Sequence, residues 1–239
     1  MRDTLLFDLD GTLLPFWQDD FIASYFSRLT RELASLGFAP QAAQKAVYEG
    51  CFAMIRNDGR RSNREAFFAV FAERLGADVY AAEPALRDFY ARGDFCKVRE
   101  ALREERDCAP LLADLRQRGY APVLATNPLF PPEAVRTRLS WINLSMEDFS
   151  FVTCYDNSRF CKPNLSYYRA LLSEIGKTPQ DCVMIGNSIP EDMCASQLGL
   201  EVFLVRDYLE NPDNEDPCAW PGGDYRALCA YLGALPALA

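Results

Sequence analysis

Two carboxylates one residue apart, in Asp8-Leu9-Asp10-Gly11-Thr12, close the first apolar run of the chain and carry most of its chemical information. The run Leu5-Leu6-Phe7 reads as a buried strand. Strand side chains alternate, so Asp8 and Asp10 project to one side and Leu9 turns into the core. Gly11 follows where the chain must turn sharply and a side chain would cost conformational freedom. Carboxylates this close repel each other unless one is protonated or a cation lies between them. A hard divalent ion with oxygen ligands, Mg²⁺ above all, meets that need. A plain Asp/Gly turn after a strand would carry the same residues, and the pair alone does not separate the two readings. A calcium-binding loop fits less well, because Leu13 stands where that loop needs glycine.

The rest of the composition narrows the chemistry. There is no histidine among the 239 residues. Ser-His-Asp and Cys-His catalysis, His-ligated zinc and phosphohistidine chemistry are therefore excluded. No cysteine has an arginine six positions on, and there is neither a Walker loop nor a Gly-x-Gly-x-x-Gly. Carboxylates, a metal, lysine and hydroxyls remain. A net charge of −9 argues against nucleic acid as a partner. No apolar stretch approaches the ~20 residues that span a bilayer, so no membrane partner is expected. The chain runs from Met-Arg-Asp-Thr straight into the first strand, which predicts no signal peptide and a cytoplasmic protein. Nine cysteines occur without a Cys-x-x-Cys pair. Cys51, Cys96, Cys154, Cys182, Cys194 and Cys229 lie in or beside apolar runs and are expected as core thiols of a reducing cytosol rather than disulfides. Oligomeric state leaves no mark in the sequence.

The elements that must position the carboxylates fall into two kinds. Residues 16 to 95 read as helix throughout. One helix starts at Asp19-Asp20 and stops at Gly37, and a second opens at Pro40 and breaks at Asn57-Asp58-Gly59. A third is capped by Ser62 with Glu65 as a capping box, and a fourth runs from about 79 to 92. Arg56, Arg60, Arg61 and Arg64 cluster at the second break. They suit either a solvated surface or a patch that grips an anionic group. Phe16 and Trp17, at the entry to this block, are expected to pack the junction. Beyond about residue 110, strand and helix alternate. Strands are expected at 122–126, 150–153, 182–186 and 202–205, and helices at 110–118, 164–175, 190–198 and from Asp224 onward. Residues 210–223 read as a surface loop. This alternation predicts an α/β fold, a doubly wound parallel sheet of Rossmann-like type. The economical domain reading is a core of residues 1–15 and 96–239, interrupted by an inserted all-helical cap of residues 16–95.

In a parallel sheet the C-terminal strand ends share one edge, where ligands bind. That edge collects Asp8 and Asp10, then Thr126 and Asn127, then Lys162 ahead of Pro163, then Gly186-Asn187-Ser188 with Glu191 and Asp192.

Asp-x-Asp-Gly-Thr, a strand-end Thr, a Lys before a helix and Gly-x-Ser-x-x-x-Asp, in this order across the whole chain, resemble the haloacid dehalogenase superfamily of phosphohydrolases. The helical block resembles the cap found in many of its members. The resemblance implies Asp8 as the nucleophile attacking phosphorus. It implies Asp10 as the acid for the leaving oxygen and then the base for water. Mg²⁺ would be held by Asp8, the Asp10 carbonyl, Asn187 and Asp192. Thr126, Asn127 and Lys162 would bind the phosphoryl group, with Lys162 also neutralising Asp8. Asn187 departs from the family, which has an acid there. Its amide oxygen can still ligate Mg²⁺ but brings no charge, and Glu191 could substitute. The implied activity is a Mg²⁺-dependent phosphatase acting on a small phosphorylated metabolite. Asp10 favours it over dehalogenation, since a halide leaves without an acid. A phosphomutase, or a non-catalytic relative that binds a phosphorylated ligand or a protein, would use the same residues.

Overall fold

The computed structural model describes residues 2–238; Met1 and Ala239, at the ends of the expected core, lie outside the described residues. Strands β1 (Thr4–Phe7), β2 (Ala121–Leu124), β3 (Phe151–Val152), β4 (Cys182–Gly186), β5 (Glu201–Val205) and β6 (Gly222–Gly223) form one sheet of order β3-β2-β1-β4-β5-β6. Every neighbouring pair is parallel. β1 therefore has β2 on one side and β4 on the other. The connections leave it in opposite directions, which opens a crevice at its C-terminal end.

Strand residues alternate between two apolar layers, as the two-residue period requires. Leu5, Phe7, Leu124, Val183, Ile185, Phe203 and Val205 join one core cluster. Leu6, Val123, Met184, Val202 and Leu204 join the other. Helices α5 (Ala109–Gln117) and α8 (Tyr225–Ala234) cover the first face through Leu112, Leu115, Leu228 and Leu232. Helix α7 (Leu165–Glu174) covers the second through Tyr167, Tyr168, Leu171 and Leu172. Burial on both faces explains why these strands read as continuous apolar runs.

Four helices follow β1: α1 (Gln18–Ser35), α2 (Pro40–Ile55), α3 (Asn63–Leu75) and α4 (Asp78–Arg92). Phe21, Tyr25, Leu29 and Leu33 mark the buried stripe of α1 at every fourth position. Ser62 and Glu65 form the reciprocal capping box at the start of α3. The α3 entrance is also pinned to the segment that follows β3. The Asn63 and Arg64 amides donate to the Ser158 and Tyr155 carbonyls at 2.8 and 2.9 Å. The fully buried Asn63 side chain donates to the Pro128 carbonyl at 3.2 Å.

Several elements differ from the sequence reading. The helix expected over 190–198 is a turn followed by a 3-10 helix, Met193–Leu198. The Asp192 carboxylate takes the Ser188 amide at 3.0 Å, and this local bond tightens the chain at the point where an α-helix would begin. The loop expected over 210–223 ends in β6, because Gly222 lies so close to β5 that a Cβ would sit 2.1 Å from the Leu204 carbonyl. Helix α6 (Pro132–Ser140) and a 3-10 helix, Asp94–Ala101, were not foreseen. All nine cysteines are free thiols, but Cys96, expected in the core, is exposed. Phe16 is fully buried and stacks on Phe21, whereas Trp17 is 46% exposed with its edge on Tyr208. Among the described residues no helix is long and apolar enough to cross a membrane.

Candidate active site

The crevice beside β1 is built from the loops that follow β1, β2, β3, β4 and β5. The first turns back at once: the amides of Thr12, Leu13 and Leu14 all donate to the Leu9 carbonyl. That turn needs Gly11, at φ +76°, where a Cβ would also meet the Asn187 side chain at 2.2 Å. It buries Asp8 and carries Thr12 beneath it. The Thr12 hydroxyl lies 3.2 Å from Asp8 Oδ2 and 3.1 Å from Asn187 Oδ1, and its single proton serves one of them at a time.

Lys162 joins the first loop to the one that follows β4. Its ammonium is fully enclosed and donates to Asp8 Oδ1 at 2.9 Å and to Asp192 Oδ1 at 2.6 Å. Burial alone would depress this lysine. The Asp192 and Asp8 carboxylates outweigh it and hold the ammonium well above its ordinary range, so it stays charged. Gly186 makes the room: a Cβ there would overlap the Asp192 carboxylate at 2.1 Å. Asp192, expected as a metal ligand, has one oxygen on Lys162 and the other on the Ser188 amide.

Asn187 is oriented by its surroundings. Its Nδ2 donates to the Tyr208 carbonyl at 2.6 Å, which turns the amide oxygen to the Thr12 hydroxyl. Two hard oxygens, one of a carboxyl and one of an amide, therefore converge beside the Thr12 hydroxyl. That donor set suits Mg²⁺, which takes one or two protein oxygens and keeps several waters. Among the described residues no three His, Cys, Asp or Glu side chains gather into a metal cage.

The remaining expected residues lie around this centre. Thr126 is buried after β2, and its carbonyl accepts from Thr153 Oγ1 at 2.8 Å and from the Tyr167 hydroxyl at 3.0 Å. Asn127 Nδ2 sits 3.0 Å from both oxygens of Glu191. Burial pushes Glu191 up to about 8, Lys162 opposing and Asp192 adding. Asp10 pairs with Arg138 of α6. Burial raises its pKa against the pull of that guanidinium.

Arg138 and Glu210 are the residues that sequence reasoning missed. Arg138 is fully buried, 128 positions from Asp10 and on the unforeseen α6. Its Nη2 and Asp10 Oδ1 are both buried without a hydrogen-bond partner among the described residues. Glu210 is bridged by backbone to the 187–189 loop and is pushed up to about 7 by burial, then by Asp8 and Asp192. The arginines flanking the 57–59 turn divide. Arg56, Arg60 and Arg61 are exposed, while Arg64 pairs with Glu83 and lies over Phe68.

Three kinds of similarity accompany this geometry. Residues 2–197 match the family model described as a haloacid dehalogenase-like hydrolase. The chain is 31% identical to the phosphoserine phosphatase of Thermus thermophilus, over 94% of this chain and 96% of that one. It is 26% identical to the glyceraldehyde 3-phosphate phosphatase of Methanothermobacter thermautotrophicus, over 90% of each. A magnesium-bound HAD-hydrolase of Bacillus subtilis superposes with a TM-score of 0.55 at 20% identity, over 97% of this chain and 99% of that one.

Proposed function

The chain belongs to the haloacid dehalogenase-like hydrolases, and from that premise we propose that it is a Mg²⁺-dependent phosphatase working through an aspartyl phosphate on Asp8. The observation that carries this reading is the set of contacts around Asp8. Lys162 holds one carboxylate oxygen at 2.9 Å, and the other lies 3.2 Å from the Thr12 hydroxyl, which the Asn187 amide oxygen also reaches. A carboxylate so held is aimed, as a nucleophile must be. Attack of an Asp8 oxygen on phosphorus breaks the bond to the ester oxygen, which leaves with the proton of Asp10. Water then cleaves the aspartyl phosphate, returning its proton to Asp10 and freeing inorganic phosphate. Thr126 and the Asn127 amide bind phosphoryl oxygens, and Lys162 offsets the charge that gathers on Asp8 and phosphate. Mg²⁺, held by Asp8, the Asp10 carbonyl and Asn187, would screen the two anions from each other. In this reading Asp192 fixes the lysine, and residues 16–95 are a cap that closes over a small phosphorylated substrate and excludes water.

The test is release of phosphate from an aryl phosphate with Mg²⁺ and with EDTA, in wild type and in Asp8→Asn. We expect release only from wild type with Mg²⁺. Mg²⁺-dependent release that survives in Asp8→Asn overturns the reading.

Asn187→Asp separates the two jobs of that side chain. A carboxylate adds charge beside Asp8 but sets an oxygen against the Tyr208 carbonyl, where an N–H donor stood. Without Mg²⁺ the variant should lose about 1–3 kcal/mol of stability. It should also reach half-maximal activity at lower Mg²⁺ than wild type. Equal melting temperatures in EDTA would remove the role given to the Tyr208 contact.

A further inference from the structure

Helices α1 to α4 and the loop at 129–131 enclose a cavity of about 230 Å³. It exceeds the ~150 Å³ apolar cavity that admits benzene. Its wall is aromatic and aliphatic, with Phe21, Phe26, Phe68, Leu86, Tyr90 and Phe130 around it. The charges that reach it are already engaged. Glu83 pairs with Arg64 and Arg87, and Arg87 also holds Glu133 and Asp156. The Tyr25 and Tyr90 hydroxyls bond each other at 2.7 Å. Burial pushes the Cys51 thiol up to about 12, so it is neutral. Gln18 adds one neutral amide. An anionic or strongly polar group entering here would lose water and meet no free charge in return.

The two ends of the cavity say what it faces. At the outer end Phe52 is 53% exposed, with Tyr48 and Ile55 beside it, although apolar side chains of that size are normally covered. At the inner end Phe130 lies on the loop that carries Thr126 and Asn127. The Arg138 guanidinium that pairs with Asp10 lies 4.4 Å from the Phe130 ring centre and 5.9 Å from that of Phe21. The inner wall of the cavity is thus the far side of the group that grips Asp10.

We propose that this cavity receives the leaving group of the substrate, and that the substrate is a phosphate monoester of an aromatic or medium-chain apolar alcohol. Resting on the phosphatase reading above, this assigns a class unlike the polar esters named for the two curated relatives. The phosphate sits against Asp8 and Lys162, the ester oxygen faces Asp10, and the apolar chain runs past Phe130 among the helices.

The experiment is kcat/KM for methyl, butyl and hexyl phosphate and for phosphoserine in Mg²⁺, with calorimetric binding of the matching alkylphosphonates. Each buried methylene should raise kcat/KM and phosphonate affinity by about fourfold, and phosphoserine should fall below butyl phosphate. Phe52→Glu, at an exposed position, should lower the hexyl-to-methyl ratio by about fourfold or more. Turnover that is flat or falls with chain length overturns the proposal and leaves the phosphatase reading standing. Absence of turnover from every ester, with phosphonate affinity still climbing with chain length, removes the phosphatase reading and keeps the cavity's preference. Phosphonate affinity that ignores chain length overturns the cavity assignment in either case.

Discussion

Replacing Lys162 with methionine should cost about 3–5 kcal/mol of stability, because it leaves two buried carboxylates without their shared cation. The ammonium is completely enclosed and bonds Asp8 and Asp192 at 2.9 and 2.6 Å. Water cannot replace it, and the methionine stem fills the same volume without charge. Turnover should fall with stability, since the aspartate oxygen and the incoming phosphate would then repel without a counter-charge. A second substitution separates the two losses. Lys162→Met with Asp192→Asn removes one of the stranded charges, so urea unfolding should show part of the stability returning while turnover stays lost. If the double variant is no more stable than the single one, the lysine is not the cation that holds this pair together.

The parts of this site that the sequence reveals are local ones. Asp8, Asp10, Thr126, Lys162 and Asn187 each follow a strand or precede a helix that its own neighbours specify, and a parallel sheet brings such ends to one edge. What it hides depends on distant partners. Arg138 reaches Asp10 across 128 positions from a short helix that starts at Pro132 with Glu133 in its first turn. Glu210 lies in a polar loop, and nothing in its composition shows that the loop folds back onto residues 187–189. Arg64 reads as one of four equivalent basic residues, yet it alone meets Glu83, which stands one helix later. Asn187 looks like a weakened acid in sequence. Its Nδ2 bond to Tyr208 gives the amide a reason of its own, which a carboxylate could not supply.

The partnership of Asp10 and Arg138 yields the sharpest test of the acid role. A guanidinium beside a carboxyl favours the anion, whereas burial favours the neutral acid, and burial prevails here. Asp10→Asn keeps the shape but has no proton to give. Alkyl phosphates, whose alkoxide cannot leave unprotonated, should slow by about 10²–10⁴-fold. p-Nitrophenyl phosphate, whose phenolate leaves as the anion, should keep its first step. Its second step also needs Asp10, to take the proton from water, so the aspartyl phosphate should accumulate. Rapid mixing should then show a burst approaching one nitrophenolate per active site, followed by slow turnover. An equal loss for alkyl and aryl esters, with no burst, would mean that Asp10 serves only to anchor Arg138. The proton would then have to come from elsewhere in the crevice, where burial pushes the Glu191 and Glu210 carboxyls up to about 8 and about 7 and also raises Asp192.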